Sequence, residues 1–79
     1  MKRTNLEIGL KDIPTVPTLT LDQTAVYFRR AGIQTSGVKI AAGIVQGVYP
    51  FGVYIDMDGN RNFEIYEKLL LAYLSERAM

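Results

Sequence analysis

Hydrophobic and polar positions along this chain switch period three times, and each switch marks an element. From Leu21 the apolar residues Leu21, Ala25 and Phe28, with Val26 beside them, fall at helical spacing, so one face can be buried. Thr20 fits the N-cap, and Gln23 three residues on completes a capping box. Asp22 lies in the first turn, where a negative charge suits the helix dipole. Arg29 and Arg30 close the last turn, and Gly32 fits the position after the end. The pattern predicts a helix over 21–31. Only Gly32 to Thr35 separate it from a second helical stretch, predicted over 36–47, with Thr35 or Ser36 as its cap. There Ile40 and Ile44 face the core, and Gly43 between them admits a close neighbour. Val38, Lys39, Ala41, Ala42, Val45 and Gln46 fall on or near the other sides. A glycine inside a helix costs about 1 kcal/mol relative to alanine, and close packing is the usual reason to accept it. Gly47 ends the helix and Pro50 forbids its continuation.

Residues 53–66 turn to the strand period. Val53, Ile55 and Met57 point one way and Tyr54 and Asp56 the other. After Asp58-Gly59-Asn60, Phe63 and Ile65 alternate with Asn62, Glu64 and Tyr66. A two-residue Asp58-Gly59 loop sets Ile55 opposite Asn62 and mixes the faces. A three-residue loop, Asp58 to Asn60, pairs Ile55 with Phe63 and Val53 with Ile65, with Asn60 or Gly59 at positive φ. The expectation is the three-residue loop. From Glu67 the period is helical again: Leu70, Tyr73 and Leu74 form a stripe with Ile65 behind them, while Lys68, Glu76 and Arg77 are solvated. Leu69 and Leu71 widen the apolar band, either as ordinary surface leucines or, with Tyr73, as a self-association face. Residues 1–18 hold Gly9, Pro14 and Pro17 and read as a partly ordered N-terminal arm, with Leu6 and Ile8 alternating briefly. The expected organisation is therefore an arm over 1–18 and one α+β domain over 19–79: two helices, a two-stranded β-hairpin and a C-terminal helix.

Composition removes most chemistry. With no cysteine there is no disulfide framework and no thiolate zinc site. With no histidine, Ser-His-Asp and Cys-His catalysis and the ordinary proton shuttle at neutral pH are gone. Asp56, Asp58, Asn60, Glu64 and Glu67 fall at calcium-loop spacing, but Arg61 stands where that loop needs glycine. Gly43, Gly47 and Gly52 follow neither a strand nor a Lys-Ser/Thr pair, so no phosphate loop is present. Neither enzyme activity nor a cofactor is expected. No apolar run approaches the roughly 20 residues that span a bilayer, and the start, MKRTNLEIGLKD, does not read as a signal peptide. A cytoplasmic protein without membrane contact is expected.

What remains is a surface. Net charge is only +1, so a polyanion partner depends on where the charges sit. Gln34, Thr35, Ser36 and Lys39 cluster at the start of the second helix, where recognition helices meet base edges and phosphates, and Gln46 lies on the same helix. For Thr35 and Ser36 capping competes with contact. Asn60 and Arg61 at the hairpin tip can reach phosphate or a minor groove. Arg29 and Arg30 serve the helix dipole first and phosphate second, and Lys2 and Arg3 offer two charges in the arm.

The order helix, short turn, helix, hairpin, helix, with Gly-x-x-Pro between the second helix and the strands, resembles small winged-helix excisionase-like and MerR-like DNA-binding domains. The residues that carry the match are Leu19-Thr20-Leu21-Asp22-Gln23-Thr24-Ala25, Ser36, Ile40, Ile44, Gly47, Pro50, Phe63, Ile65, Leu70 and Leu74, over about residues 18–75. The stretch Gly43 to Val53, GIVQGVYPFGV, is similar to one in excisionase-like proteins of phages and conjugative elements of Gram-positive bacteria. The resemblance implies a winged helix-turn-helix that binds specific double-stranded DNA. It further implies assistance to an integrase or recombinase in excision, or transcriptional regulation of the mobile element. The second helix would lie in the major groove and the hairpin would be the wing. The chain departs from the pattern with Ala41, Ala42 and Val45 in the reading helix and with acidic Asp56, Asp58 and Glu64 around the hairpin. The same departures fit an alternative, a winged-helix protein-interaction adaptor that does not bind DNA.

Overall fold

The computed structural model describes residues 12–79. The expectations for Lys2, Arg3, Leu6, Ile8 and Gly9 fall outside the described residues. Six elements follow in order: β1 (Thr18–Leu19), α1 (Leu21–Arg30), α2 (Gly37–Val45), β2 (Gly52–Met57), β3 (Asn60–Tyr66) and α3 (Glu67–Arg77). The domain is α+β, three helices around a three-stranded antiparallel sheet in the order β1-β3-β2. The pair Thr18↔Tyr66 and Leu19↔Ile65 makes β1, which the sequence pattern did not reveal because two residues are too few to show a period.

The first two helices begin and end where local chemistry dictates. Thr20 Oγ1 accepts from the Gln23 amide at 3.0 Å and Gln23 Oε1 accepts from the Thr20 amide at 2.9 Å, a complete capping box. Ser36, not Thr35, caps α2, its Oγ accepting from the Lys39 amide at 3.3 Å. Gly32 and Gly47 follow the two helix ends at φ +90° and +77°, which side-chain-bearing residues rarely adopt. Thr24, polar and fully buried, donates its hydroxyl to the Thr20 carbonyl at 2.8 Å, so its own polar atom is satisfied.

The core is Ala25, Phe28, Ile40, Ile44, Phe51, Ile65 and Leu70. Phe28, Tyr49, Phe51 and Tyr73 form a continuous aromatic cluster with centroids 5.0–6.3 Å apart in tilted, stacked and edge-on pairs. Tyr49 reaches this cluster by lying flat on Gly43: a Cβ there would stand 2.4 Å from the ring. The close neighbour expected for Gly43 is therefore a side chain of the loop that follows α2. Leu70 is buried and Tyr73 and Leu74 pack against the core, as the stripe in α3 predicts. The Tyr27 hydroxyl donates to Glu67 at 2.6 Å, joining α1 to α3. That bond to a carboxylate holds the phenol above its ordinary pKa of 10.0, so the tie persists through neutral pH and is lost as pH rises past the tyrosine range.

The hairpin corrects the sequence expectation. Its loop has two residues, not three: Met57 pairs with Asn60, Ile55 with Asn62, Tyr54 with Phe63 and Gly52 with Ile65. Asp58 and Gly59 both take positive φ, 53° and 85°, the backbone of a type I′ turn, whose twist matches that of the strands it joins. Asp56 Oδ1 adds a bond from the Gly59 amide at 3.0 Å. The face toward the core is thus Gly52 and Tyr54 from β2 with Phe63 and Ile65 from β3, and the Tyr54–Phe63 rings lie 5.6 Å apart. Val53, Ile55 and Met57, expected inside, are 43 %, 42 % and 59 % exposed. The core does not need them. Opposite Ile65 there is room only for glycine, since a Cβ on Gly52 would meet the Glu64 carbonyl at 2.9 Å and Ile44 Cδ1 at 3.2 Å.

Two stability measurements check this arrangement. Gly43→Ala lowers unfolding free energy in urea by about 1–3 kcal/mol through overpacking against Tyr49, although alanine is the better helix former. Ile55→Asn changes stability by less than about 0.5 kcal/mol, whereas Ile65→Ala costs about 2–5 kcal/mol; equal losses at the two sites would restore the three-residue loop.

Candidate functional site

Among the described residues, charge is unevenly distributed along the chain. Between Asp22 and Asp56 there is no acidic residue, while Arg29, Arg30 and Lys39 all lie in that span. The only ion pair among the described residues is Arg77–Glu76 at 3.7 Å, so Arg29, Arg30, Lys39 and Arg61 have no ion-pair partner among the described residues. All four are exposed.

The turn between α1 and α2 brings several of the predicted residues together. Arg29 Nη1 donates to the Thr35 carbonyl at 3.3 Å, so the end of α1 braces the approach to α2. Gln34 and Ser36 are exposed on either side. The Thr35 hydroxyl is buried without a hydrogen-bond partner, so this residue offers the surface its backbone rather than its side-chain oxygen. At 100° per residue, the α2 face opposite Ile40 and Ile44 is centred on Ala42, with Val38 and Val45 toward one side and Gln46 and Lys39 toward the other. Lys39 and Gln46 form a polar lane along one side of it; Lys39 is exposed and Gln46 is the C-cap. Val38 stands out at 82 % exposure.

The sequence placed Asp22 in the first turn of α1 but not against α2. A Cβ on Gly37 would lie 3.1 Å from Asp22 Oδ1, so the carboxylate of α1 sits against the first residue of α2. There it complements the second helix's dipole as well as its own, and it supplies negative charge where an anionic ligand would otherwise meet free amides. Only the three-dimensional packing of α1 on α2 creates this proximity; the two residues are fifteen apart.

Asn60 and Arg61 belong to a separate part of the surface. β2 leaves the α2 side of the domain at Gly52, and Arg61, paired with Asp56, is about 13 Å further along the strand. Its guanidinium lies 6.0 Å from the Tyr54 ring centroid. Asp56 spends one oxygen on the Gly59 amide. The hairpin tip thus carries one exposed cation facing one acid across the strands, with Asp58 in the turn. Leu69, Leu71 and Tyr73 do not all share one face: Leu69 and Tyr73 line one depression with Pro50 and Ala72, while Leu71 lies beside Val26 and Leu74; Tyr73 is half-buried in the aromatic cluster, with the Arg77 guanidinium 3.8 Å from its ring centroid. No helix among the described residues is long and apolar enough to cross a membrane.

No protein-family model, curated protein or solved structure matches this chain.

Proposed function

We propose that this protein is a sequence-specific double-stranded-DNA-binding protein of a mobile genetic element, an excisionase or a small transcriptional regulator. In this reading α1, the turn and α2 are a helix-turn-helix, α2 enters the major groove, and the β2–β3 hairpin is the wing that reaches the adjacent minor groove or backbone. The observation that carries the reading is the acid-free span from Gln23 to Ile55, whose three cations are exposed and have no ion-pair partner among the described residues, with Lys39 on α2 itself and Arg29 at the turn that leads into it. Polyanion binding draws on such unpaired cations, because affinity comes from releasing counterions condensed on phosphate. An α-helix is about 10–12 Å across with its side chains, which a major groove about 12 Å wide admits. The resemblance of the chain to excisionase-like domains supports the mobile-element context and an integrase or recombinase as a further partner.

The roles divide by position. Lys39, Gln46, Ser36 and Gln34 face the groove or its phosphate edge; Arg29 and Arg30 meet the backbone at the near side; Asn60 and Arg61 act from the hairpin. Asp22 opposes them and trims non-specific affinity. A second reading, a protein-interaction adaptor, is favoured by one observation: the uncovered stripe of Val53, Ile55 and Met57 on β2.

Titration onto a pool of DNA fragments from the protein's genomic neighbourhood separates the readings. Selective retention of particular fragments that weakens with salt supports DNA recognition, and absence of selection at any salt transfers the assignment to the adaptor. On a selected fragment, Lys39→Ala and Arg61→Ala each lower the slope of log affinity against log salt by about one. Asp22→Asn raises affinity at low salt, and more for unselected than for selected fragments, while costing about 0.3–1 kcal/mol of helix stability measured in urea.

A further inference from the structure

We infer that α2 reads thymine through the C5-methyl group, with Val38 as the residue that determines this specificity; the inference rests on the DNA-binding reading and deepens it. The outer side of α2 presents the methyl-terminated side chains of Val38, Ala42 and Val45 beside the polar Lys39 and Gln46, and carries no acid. Val38 is in the first turn of the helix, the part that reaches base edges in helix-turn-helix docking, and its side chain is 82 % exposed, free of packing within the domain. In the major groove the base edges present hydrogen-bond donors and acceptors and one apolar group, the thymine methyl. An apolar side chain at that position desolvates favourably against a thymine and unfavourably against the polar edges of the other bases.

Size and charge select this occupant over a protein groove. Protein-docking faces anchor through large side chains, chiefly Trp, Tyr and Arg, seated in pockets. The outer stripe of α2 has nothing longer than valine, so it offers little area to a protein, yet it lets the helix backbone sit deep in a groove. The lane beside it begins with Lys39, and Arg29 stands at the turn that leads into α2, a charge arrangement complementary to flanking phosphates.

The test uses the full chain and a DNA fragment that it selects. Each thymine of the site is replaced singly by deoxyuridine, which deletes the methyl and leaves every hydrogen-bonding group in place. The expected result is a loss of about fourfold in affinity at one or two positions, the value of one buried methyl-sized group. Val38→Ala, at an exposed position and with an unchanged melting temperature, should weaken binding to the thymine site comparably and abolish its preference for thymine over uracil there. Its salt slope should match the parent's, because no phosphate contact is lost. Indifference to uracil at every position overturns the inference, as does a thymine preference that survives Val38→Ala; in both cases DNA recognition itself stands. If no fragment is selected, the DNA reading fails and the inference falls with it.

Discussion

The contact of Tyr49 with Gly43 is the constraint on which the rest of the domain depends. A ring laid directly on a helix backbone requires a residue without a side chain there, and α2 accepts a glycine in its interior to provide one. From that seat Tyr49 touches Phe28 of α1, Phe51 ahead of β2 and Tyr73 of α3. One loop residue therefore links all three helices and the start of the sheet. In a chain of 79 residues, near the lower limit for a self-sufficient core, such multiple use of a single aromatic replaces the bulk that a larger protein would draw from several layers.

The same economy explains the surface. Because Ile40, Ile44 and Gly43 supply the core contacts of α2 from one side, most of its other side is exposed, with only Ala42 half-buried. The side chains there, Val38, Lys39, Ala42, Val45 and Gln46, are free to be set by whatever α2 meets. The opposite holds for α3, where Leu70 and Tyr73 commit one face and the leucines on either side end in separate shallow depressions.

Much of this was legible in the amino-acid order, and the limits have physical causes. Helix boundaries followed from Thr20, Gln23, Ser36, Gly32 and Gly47, each acting through neighbours three or four residues away. The α+β composition of helices and hairpin followed from period changes. The hairpin register did not, because β2 has apolar side chains on both faces: Val53, Ile55 and Met57 on one, Tyr54 on the other. Alternation identifies a strand in such a segment but not its inner side, and the decision passes to turn geometry and to the tight space at Gly52. Of the candidate surface, the residues of the α1–α2 turn and of α2 were visible from their spacing. The carboxylate of Asp22 against Gly37 was not, since that proximity arises from how two helices pack.

The two-sided character of β2 makes the Asp58-Gly59 turn a point of heritable leverage. Register in a hairpin is set at its turn, and a one-residue change in loop length exchanges inner for outer along the whole strand. Insertion of a single codon there, with the tight two-residue turn retained, would shift the register by one, present Tyr54 to the outside and turn Val53 and Ile55 inward, with no strand residue altered. A lineage could thereby change the chemistry of one entire sheet face in one genetic event, and the compensation needed inside would be confined to the neighbourhood of Gly52.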